Sequence, residues 1–303
     1  MLRKYNYDDG CFMRQDQYSE DRYNSPHKER RPNFLESAVV RYDALLASQP
    51  DLYEIWTYRG YALENLGHYR EAIANFDQAI KINPDYALAW HGQAIALVSL
   101  SCYEEALIRL NKTIKLTPKN AQAWYNRGNA LVFLHRYEEA LTSFNRVIEI
   151  TPEDYKAWYH RSKALANLGY HYAALASLDK TLAINSQCYY ALNYRGTLLK
   201  KLGRYEDAIA SFDESLEIKP NHPDAWYNKA RCYALLGNLE TALNYLHQAL
   251  KLNPTLYRAI AKIDSDFNAF HHNPRFCGLI NPIQSVHDNQ TVSLTTSGTQ
   301  RSV

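Results

Sequence analysis

Apolar and small residues recur along this chain at one fixed interval. Trp stands at 56, 90, 124, 158 and 226, with Leu192 filling the single gap. Ala stands at 72, 106, 140, 174, 208 and 242, and Pro at 84, 118, 152, 220 and 254, with Ser186 as the exception. The three series share a spacing of 34 residues, so the chain reads as an array of repeats. Within each period Trp, a Gly or other small residue, and Leu fall at i, i+4 and i+7, as in Trp56, Gly60 and Leu63. That spacing puts them on one face of a first helix. Gly67, Gly169, Gly203 and Gly237 stand where this helix must end in a left-handed residue. A second helix follows and turns Ala72, Phe76 and Ala79, or their equivalents, toward the first. Pro then stops the unit. The pattern predicts helix pairs beginning at 53, 87, 121, 155, 189 and 223, together spanning 53–256. One pair cannot bury its own apolar face, so neighbours stack and share a continuous core. The fold class is all-α, a solenoid.

A solenoid needs covered ends. Ala38, Tyr42, Leu45 and Pro50 match second-helix positions, so 34–52 reads as a half-repeat capping helix. Its first helix is absent, because Pro26 and the run Lys28-Glu29-Arg30-Arg31 interrupt it. At the other end, 257–286 reads as a C-terminal cap. Ile260, Ile263, Phe267 and Phe270 form one helical stripe there, with Arg258, Lys262, Asp264 and Asp266 elsewhere on the same helix. Phe276, Leu279 and Ile280 are expected to pack back. Residues 1–33 and 287–303 lack periodicity and read as disordered tails. The N-terminal tail mixes Tyr5, Tyr7, Phe12, Tyr18 and Tyr23 with Arg3, Lys4, Arg14 and Arg22, either a solvated tail or a short linear motif. Ser186 and Leu192, which break the Pro and Trp series together, mark the junction of repeats four and five as the softest.

The clearest period, Ala121-Gln122-Ala123-Trp124-Tyr125-Asn126-Arg127-Gly128, resembles the tetratricopeptide-repeat family. It is most similar to "WYNRG" arrays common in photosynthetic bacteria. The resemblance implies a right-handed α-solenoid of six helix pairs whose first helices line a concave groove that holds other proteins. It further implies a role in assembling a membrane or pigment-protein complex. Some relatives clamp a chaperone's C-terminal carboxylate with Lys-Asn, Asn and Lys-Arg on successive repeats. Here those positions carry His91, Ile95, Asn126, Lys156 and His160, which argues against that ligand.

At about 100° per residue, the positions opposite the Trp face are readable. They give Tyr58, Tyr61, His91, Tyr125, Asn126, Asn129, Tyr159, His160, Lys163, Tyr190, Asn193, Tyr194, Lys200, Lys201, Tyr227, Asn228 and Arg231 as the candidate partner-binding groove. Aromatic anchors beside amides and cations suit an extended peptide; the bland alternative is that these Tyr only pack neighbouring helices. Glu54 and Glu64 lie at one end and Lys156, Lys163, Lys200, Lys201 and Arg231 toward the other, so the C-terminal half is expected to favour acidic segments. A further series, Arg59, Gln93, Arg127, Arg161, Arg195 and Lys229, faces Asp77, Asn111, Asn145, Asp179, Asp213 and His247 eighteen residues on. We expect it to be a polar ladder between the two helices of each repeat rather than an anion-binding row.

Composition narrows the function. A net charge of +2 over 303 residues gives no electrostatic basis for bulk nucleic-acid binding. Single-strand binding by stacking on Tyr stays as the second reading, and regulation of an enzyme in trans as the third. No Gly-rich phosphate loop, HExxH or GxSxG occurs, so neither an enzyme nor a cofactor is expected. His271, His272 and Cys277 match no standard metal spacing. The five scattered Cys form no CxxC, which suits a reducing compartment. With no apolar leader in the first residues and no stretch long enough to span a bilayer, the expectation is a cytoplasmic protein, at most peripheral to a membrane.

Overall fold

The computed structural model describes residues 31–281, so the two tails read from the sequence fall almost wholly outside it. A lone helix α1 (Arg31–Ser48) leads into six helix pairs. They are α2 (Tyr53–Asn65) with α3 (Tyr69–Ile82), α4 (Ala87–Ser99) with α5 (Tyr103–Leu116), and α6 (Ala121–Phe133) with α7 (Tyr137–Ile150). Then come α8 (Tyr155–Asn167) with α9 (His171–Ile184), α10 (Tyr189–Lys201) with α11 (Tyr205–Ile218), and α12 (Pro223–Leu235) with α13 (Leu239–Leu252). First helices touch the first helices of the next repeat, and second helices do so far less. The array is therefore a solenoid that curves with first helices on its inner side.

Each hairpin turns on the same device. Gly67, Gly169, Gly203 and Gly237 have φ of 84°, 85°, 75° and 73°, and in repeats two and three Ser101 (61°) and His135 (58°) take the same register. The residue after each donates its backbone N–H five residues back, as His68 does to the Leu63 carbonyl (2.9 Å) and Arg136 to that of Leu131 (2.9 Å). This satisfies the orphan carbonyls of the first helix and fixes the exit angle.

The core is built on the second helix. The Ala series at 72, 106, 140, 174, 208 and 242 is fully buried. One turn further, Phe76, Leu110, Phe144, Leu178, Phe212 and Leu246 are also fully buried, alternating Phe and Leu. The first helix answers in kind, with Gly60, Gly128 and Gly196 in the Phe repeats and Ala94, Ser162 and Ala230 in the Leu repeats. A Cβ on Gly128 would lie 2.6 Å from Cε1 of Phe144, so the larger ring fits only where the side chain opposite is missing.

Trp has a different part from the one its period suggests. Its rings are half-buried, not the centre of the core. Instead each indole N–H donates to the carbonyl of the Pro six residues earlier: Trp56 to Pro50, Trp90 to Pro84 and Trp226 to Pro220 at 2.8 Å, Trp124 to Pro118 and Trp158 to Pro152 at 2.9 Å. The bond pins the start of one repeat to the stop of the one before. Leu192 and Ser186 replace both partners at once, and the α9–α10 packing is the sparsest between any two full repeats.

The polar ladder is present, and it runs between repeats as well as within them. Arg195 Nε donates to Asp179 (3.1 Å) on the preceding second helix, and its Nη1 to Ser211 Oγ (2.8 Å) on its own. Arg59 bridges Asp43 and Asn75, Arg127 bridges Asn111 and Ser143, and Arg161 bridges Asn145 and Ser177 in the same way. Gln93 bonds Asp77, and Lys229 bonds Asp213. The expected partners eighteen residues on are therefore replaced by partners sixteen residues on either side. A planar guanidinium spans three helices because its donors point along two edges.

The C-terminal cap is not one helix. α14 (Pro254–Ala261) stops, a 3₁₀ turn covers Ser265–Phe270, and α15 (Pro274–Ile280) follows. Phe267, Phe270, Phe276 and Ile280 are buried, whereas Ile263 is 65% exposed and leaves the stripe. The break arises because Asp264 caps the new turn through the Asp266 N–H (3.1 Å) and carries both acids to the inner face.

Two outcomes follow. Gly128→Ala should lose about 1–3 kcal/mol by overpacking against about 1 kcal/mol of gained helix propensity. Adding Phe144→Leu should recover much of that loss, and a urea double-mutant cycle showing additivity would refute the match. Hydrogen exchange should show residues 180–195 less protected than 140–155, where the Trp–Pro bond is intact; equal protection would contradict a soft junction.

Candidate functional site

On the inner face, some of the residues proposed from the helical register meet one another. Tyr58 is exposed at its N-terminal end, and the Tyr61 hydroxyl donates to the Leu88 carbonyl (3.0 Å). Asn126 Nδ2 donates to Nε2 of His91 (3.1 Å), which fixes that nitrogen as the unprotonated one. In the middle the rings form a wall. Tyr125 lies edge-on to His160 at 5.3 Å, His160 to Tyr159 at 5.4 Å, and Tyr159 to Tyr190 at 4.8 Å and Tyr194 at 6.1 Å. His160 also leans over Phe144 at 5.6 Å, so the wall rests on the core ring that Gly128 admits.

Position nine of each first helix forms the floor. Asn129 is 3% exposed, and neither amide atom meets a hydrogen-bond partner among the described residues. Lys163 is 4% exposed, with its ammonium 5.6 Å from the Tyr159 ring centroid. Thr197 donates to the Asn193 carbonyl (3.0 Å), while Oδ1 of Asn193 is buried and also without a partner among the described residues. A buried amide left unpaired is costly and rare in folded proteins.

Repeats five and six end in a closed polar cluster that sequence reasoning missed. Tyr227 donates its hydroxyl to Asp264 Oδ2 (2.8 Å). Arg231 Nε meets Asp266 (2.7 Å) and Asp264 (3.0 Å), and Lys200 donates to Asp266 (2.7 Å). Arg231 also reaches Asn228 Oδ1 at 3.5 Å. Burial, reinforced by the Asp264 charge, pushes the Tyr227 phenol above its usual range. The cap thus neutralises Lys200 and Arg231, and the remaining cationic positions of this half are Lys156, Lys163 and the exposed Lys201. The available signal was charge: Asp264 and Asp266 are the only acids of the cap, and a helical reading sent them to solvent.

Among the described residues no three His, Cys, Asp or Glu side chains gather as a metal site, and no helix is long and apolar enough to cross a membrane.

A curved array of helix pairs with an aromatic and polar inner face defines a helical-repeat scaffold. Tetratricopeptide-repeat models match residues 53–86, 121–154 and 199–263, and a TPR-repeat model matches 96–132. The chain belongs to the tetratricopeptide-repeat family. It is similar to the solved structure of YrrB, described as a TPR protein with an unusual peptide-binding site, at 29% identity and TM-score 0.52, over 62% of this chain and 98% of that one. PilW, a type IV pilus biogenesis factor, matches at 22% identity and TM-score 0.60 over 72% and 97% of the two chains. Pseudomonas aeruginosa pilF matches at 19% and 0.59 over 72% and 96%. The last two likenesses concern the fold alone. No curated protein matches the chain.

The histidines make a pH prediction. Burial holds His91 down at about 4, and burial with the charges of Lys163 and Lys156 holds His160 at about 3. Both fold neutral, whereas the unfolded ring takes a proton below about 6.5. Stability is therefore full above that value and falls on acidification toward pH 4, by about 1–2 kcal/mol per ring at pH 5. Thermal melts of His91→Gln with His160→Gln should show a flatter decline from pH 7 to 5 than the natural chain. An unchanged slope would reject the assignment.

Proposed function

We propose that this chain is a non-enzymatic adaptor or assembly scaffold that holds an extended segment of a protein partner against its inner face. The observation that carries this reading is the continuous aromatic wall of Tyr125, His160, Tyr159, Tyr190 and Tyr194 across three repeats. Rigid rings contribute contact area at low entropic cost, and a wall that crosses repeats follows an extended chain rather than a compact ligand. The peptide-binding description of YrrB is consistent with the same use of the inner face. With Lys200 and Arg231 engaged by the cap, the partner's place is the central repeats rather than the C-terminal end.

Capture from a cell lysate on the immobilised full chain, read by mass spectrometry, tests this. Tyr190→Ala and Tyr194→Ala should reduce the retained partner about tenfold, as expected for aromatic anchors. Ile108→Ser, at an exposed position on second helix α5, should retain it. Circular dichroism should find all three variants folded. Equal retention by all three would place the partner on another surface.

A further inference from the structure

We propose that the segment Tyr18-Ser19-Glu20-Asp21-Arg22-Tyr23 of this chain lies along the exposed face of α1 and closes the N-terminal end of the array. The docking surface is the cation Arg41 set between Phe34 and Leu45, and its occupant is this segment, which falls outside the described residues. The contact concerns the end of the solenoid and is separate from the partner on its inner face.

α1 stands in the register of a second helix but has no first helix of its own. Every later second helix packs most extensively on the first helix of its own repeat, whereas α1 packs on α2 alone among the first helices. The register shows which face this leaves open. On α3 the side chains of Ala72, Asn75, Phe76 and Ala79 are buried. Their counterparts on α1 are Ala38, Arg41, Tyr42 and Leu45, of which Arg41 and Leu45 are exposed and the other two half-buried. Phe34, Arg41 and Leu45 stand at i, i+7 and i+11, within about 40° of one another around the helix. Phe34 is 69% and Leu45 44% exposed, whereas Ala79, in the Leu45 register, is fully buried. The opposite side of α1 is apolar too, with Leu46 buried and Val39 packed on the core of the first repeat. A helix apolar on two faces is suited to being covered on both.

Arg41 selects the occupant. In the same register Arg109 lies over the Trp90 ring of its own first helix, 5.5 Å from the centroid. On α1 no first helix brings such a ring, and the residues three and four positions from Arg41 are Ser37, Ala38, Ala44 and Leu45, none of them acidic. The fitting cover therefore carries aromatic rings and a carboxylate. Residues 18–23 hold both, with Glu20 and Asp21 between Tyr18 and Tyr23. The spans agree as well. Phe34 to Leu45 is about 16 Å at the helical rise, and Tyr18 to Tyr23 is about 16 Å in extended chain. Residues 24–30 connect the segment to α1, a length that suffices to reverse the chain and set Tyr23 beside Phe34 and Tyr18 beside Leu45. Pro26 stands in the register of Gly60 and bars a first helix there, which leaves an extended cover. A second copy fits less well, because seating Phe34 of one α1 on Leu45 of another brings the two Arg41 within one turn of each other.

The test is hydrogen exchange of the full chain, read by mass spectrometry at low and at high protein concentration. Amides of residues 35–46 should exchange about tenfold faster when Tyr18→Ser and Tyr23→Ser are combined, as expected when two rings leave a terminal helix. Residues 140–155 should be unaffected and serve as the internal reference for a folded array. Glu20→Lys with Asp21→Lys should loosen α1 in the same way. Adding Arg41→Glu to that variant should restore the protection, which a cover held by apolar contact alone would not do. Natural protection of α1 in the double Tyr variant would overturn the proposal and leave the face to a separate partner. Protection that rises with protein concentration would overturn it as well, and would give the face to a second copy. Charge reversal that loosens α1 without recovery by Arg41→Glu would overturn the assignment of Glu20 and Asp21 to Arg41.

Discussion

The structure depends on a polar side chain held, half-buried or buried, at every junction. A helix pair stacked on its neighbour has apolar contacts that slide easily, and nothing in burial alone fixes how far one repeat is rotated on the next. Arg59, Arg127, Arg161 and Arg195 remove that freedom, each bonding the second helix behind it and the second helix beside it. Because the donors of a guanidinium diverge in a fixed plane, the two bonds can form together at only one rotation. The curvature of the inner face, and the spacing of whatever lines it, follow from that angle.

The repeat architecture was legible because its signals are local and redundant: a stop, a left-handed turn and a small residue recur in one register. The partners of the ladder were not. Co-occurrence of Gln93 with Asn111 and of Lys229 with His247 pointed forward, yet Gln93 bonds Asp77 and Lys229 bonds Asp213 on the helix behind. Sequence separation of sixteen in either direction is equally short in a stacked pair, so periodicity alone cannot choose. Trp was misplaced for a related reason. A large ring at a fixed interval looks like core, but its N–H needs an acceptor, and the nearest free one is the carbonyl at the helix stop.

The register opposite the Trp series proposes a face, and some of its residues meet one another, as Tyr125, His160, Tyr159, Tyr190 and Tyr194 do. Which of them pair with each other was hidden, since the decisive contacts come from elsewhere. Asp264 and Asp266 reach Tyr227, Arg231 and Lys200 only because the cap helix breaks at Ala261. The expectation of positive charge at that end counted the repeats without the cap. The chain supplies its own counter-charge there, and farther back along the array Asn129 has both amide atoms buried without a hydrogen-bond partner among the described residues.

The alternation of Phe with Gly and of Leu with Ala or Ser divides the repeats into two kinds that are not interchangeable within a pair. A genetic exchange joining the first helix of one repeat to the second helix of its immediate neighbour sets Phe against a side chain, or leaves Leu facing a void. The same exchange between alternate repeats restores a matched pair. Arrays of this sequence can therefore lengthen or shorten through such crossovers in steps of two repeats, and the heritable unit is the doublet.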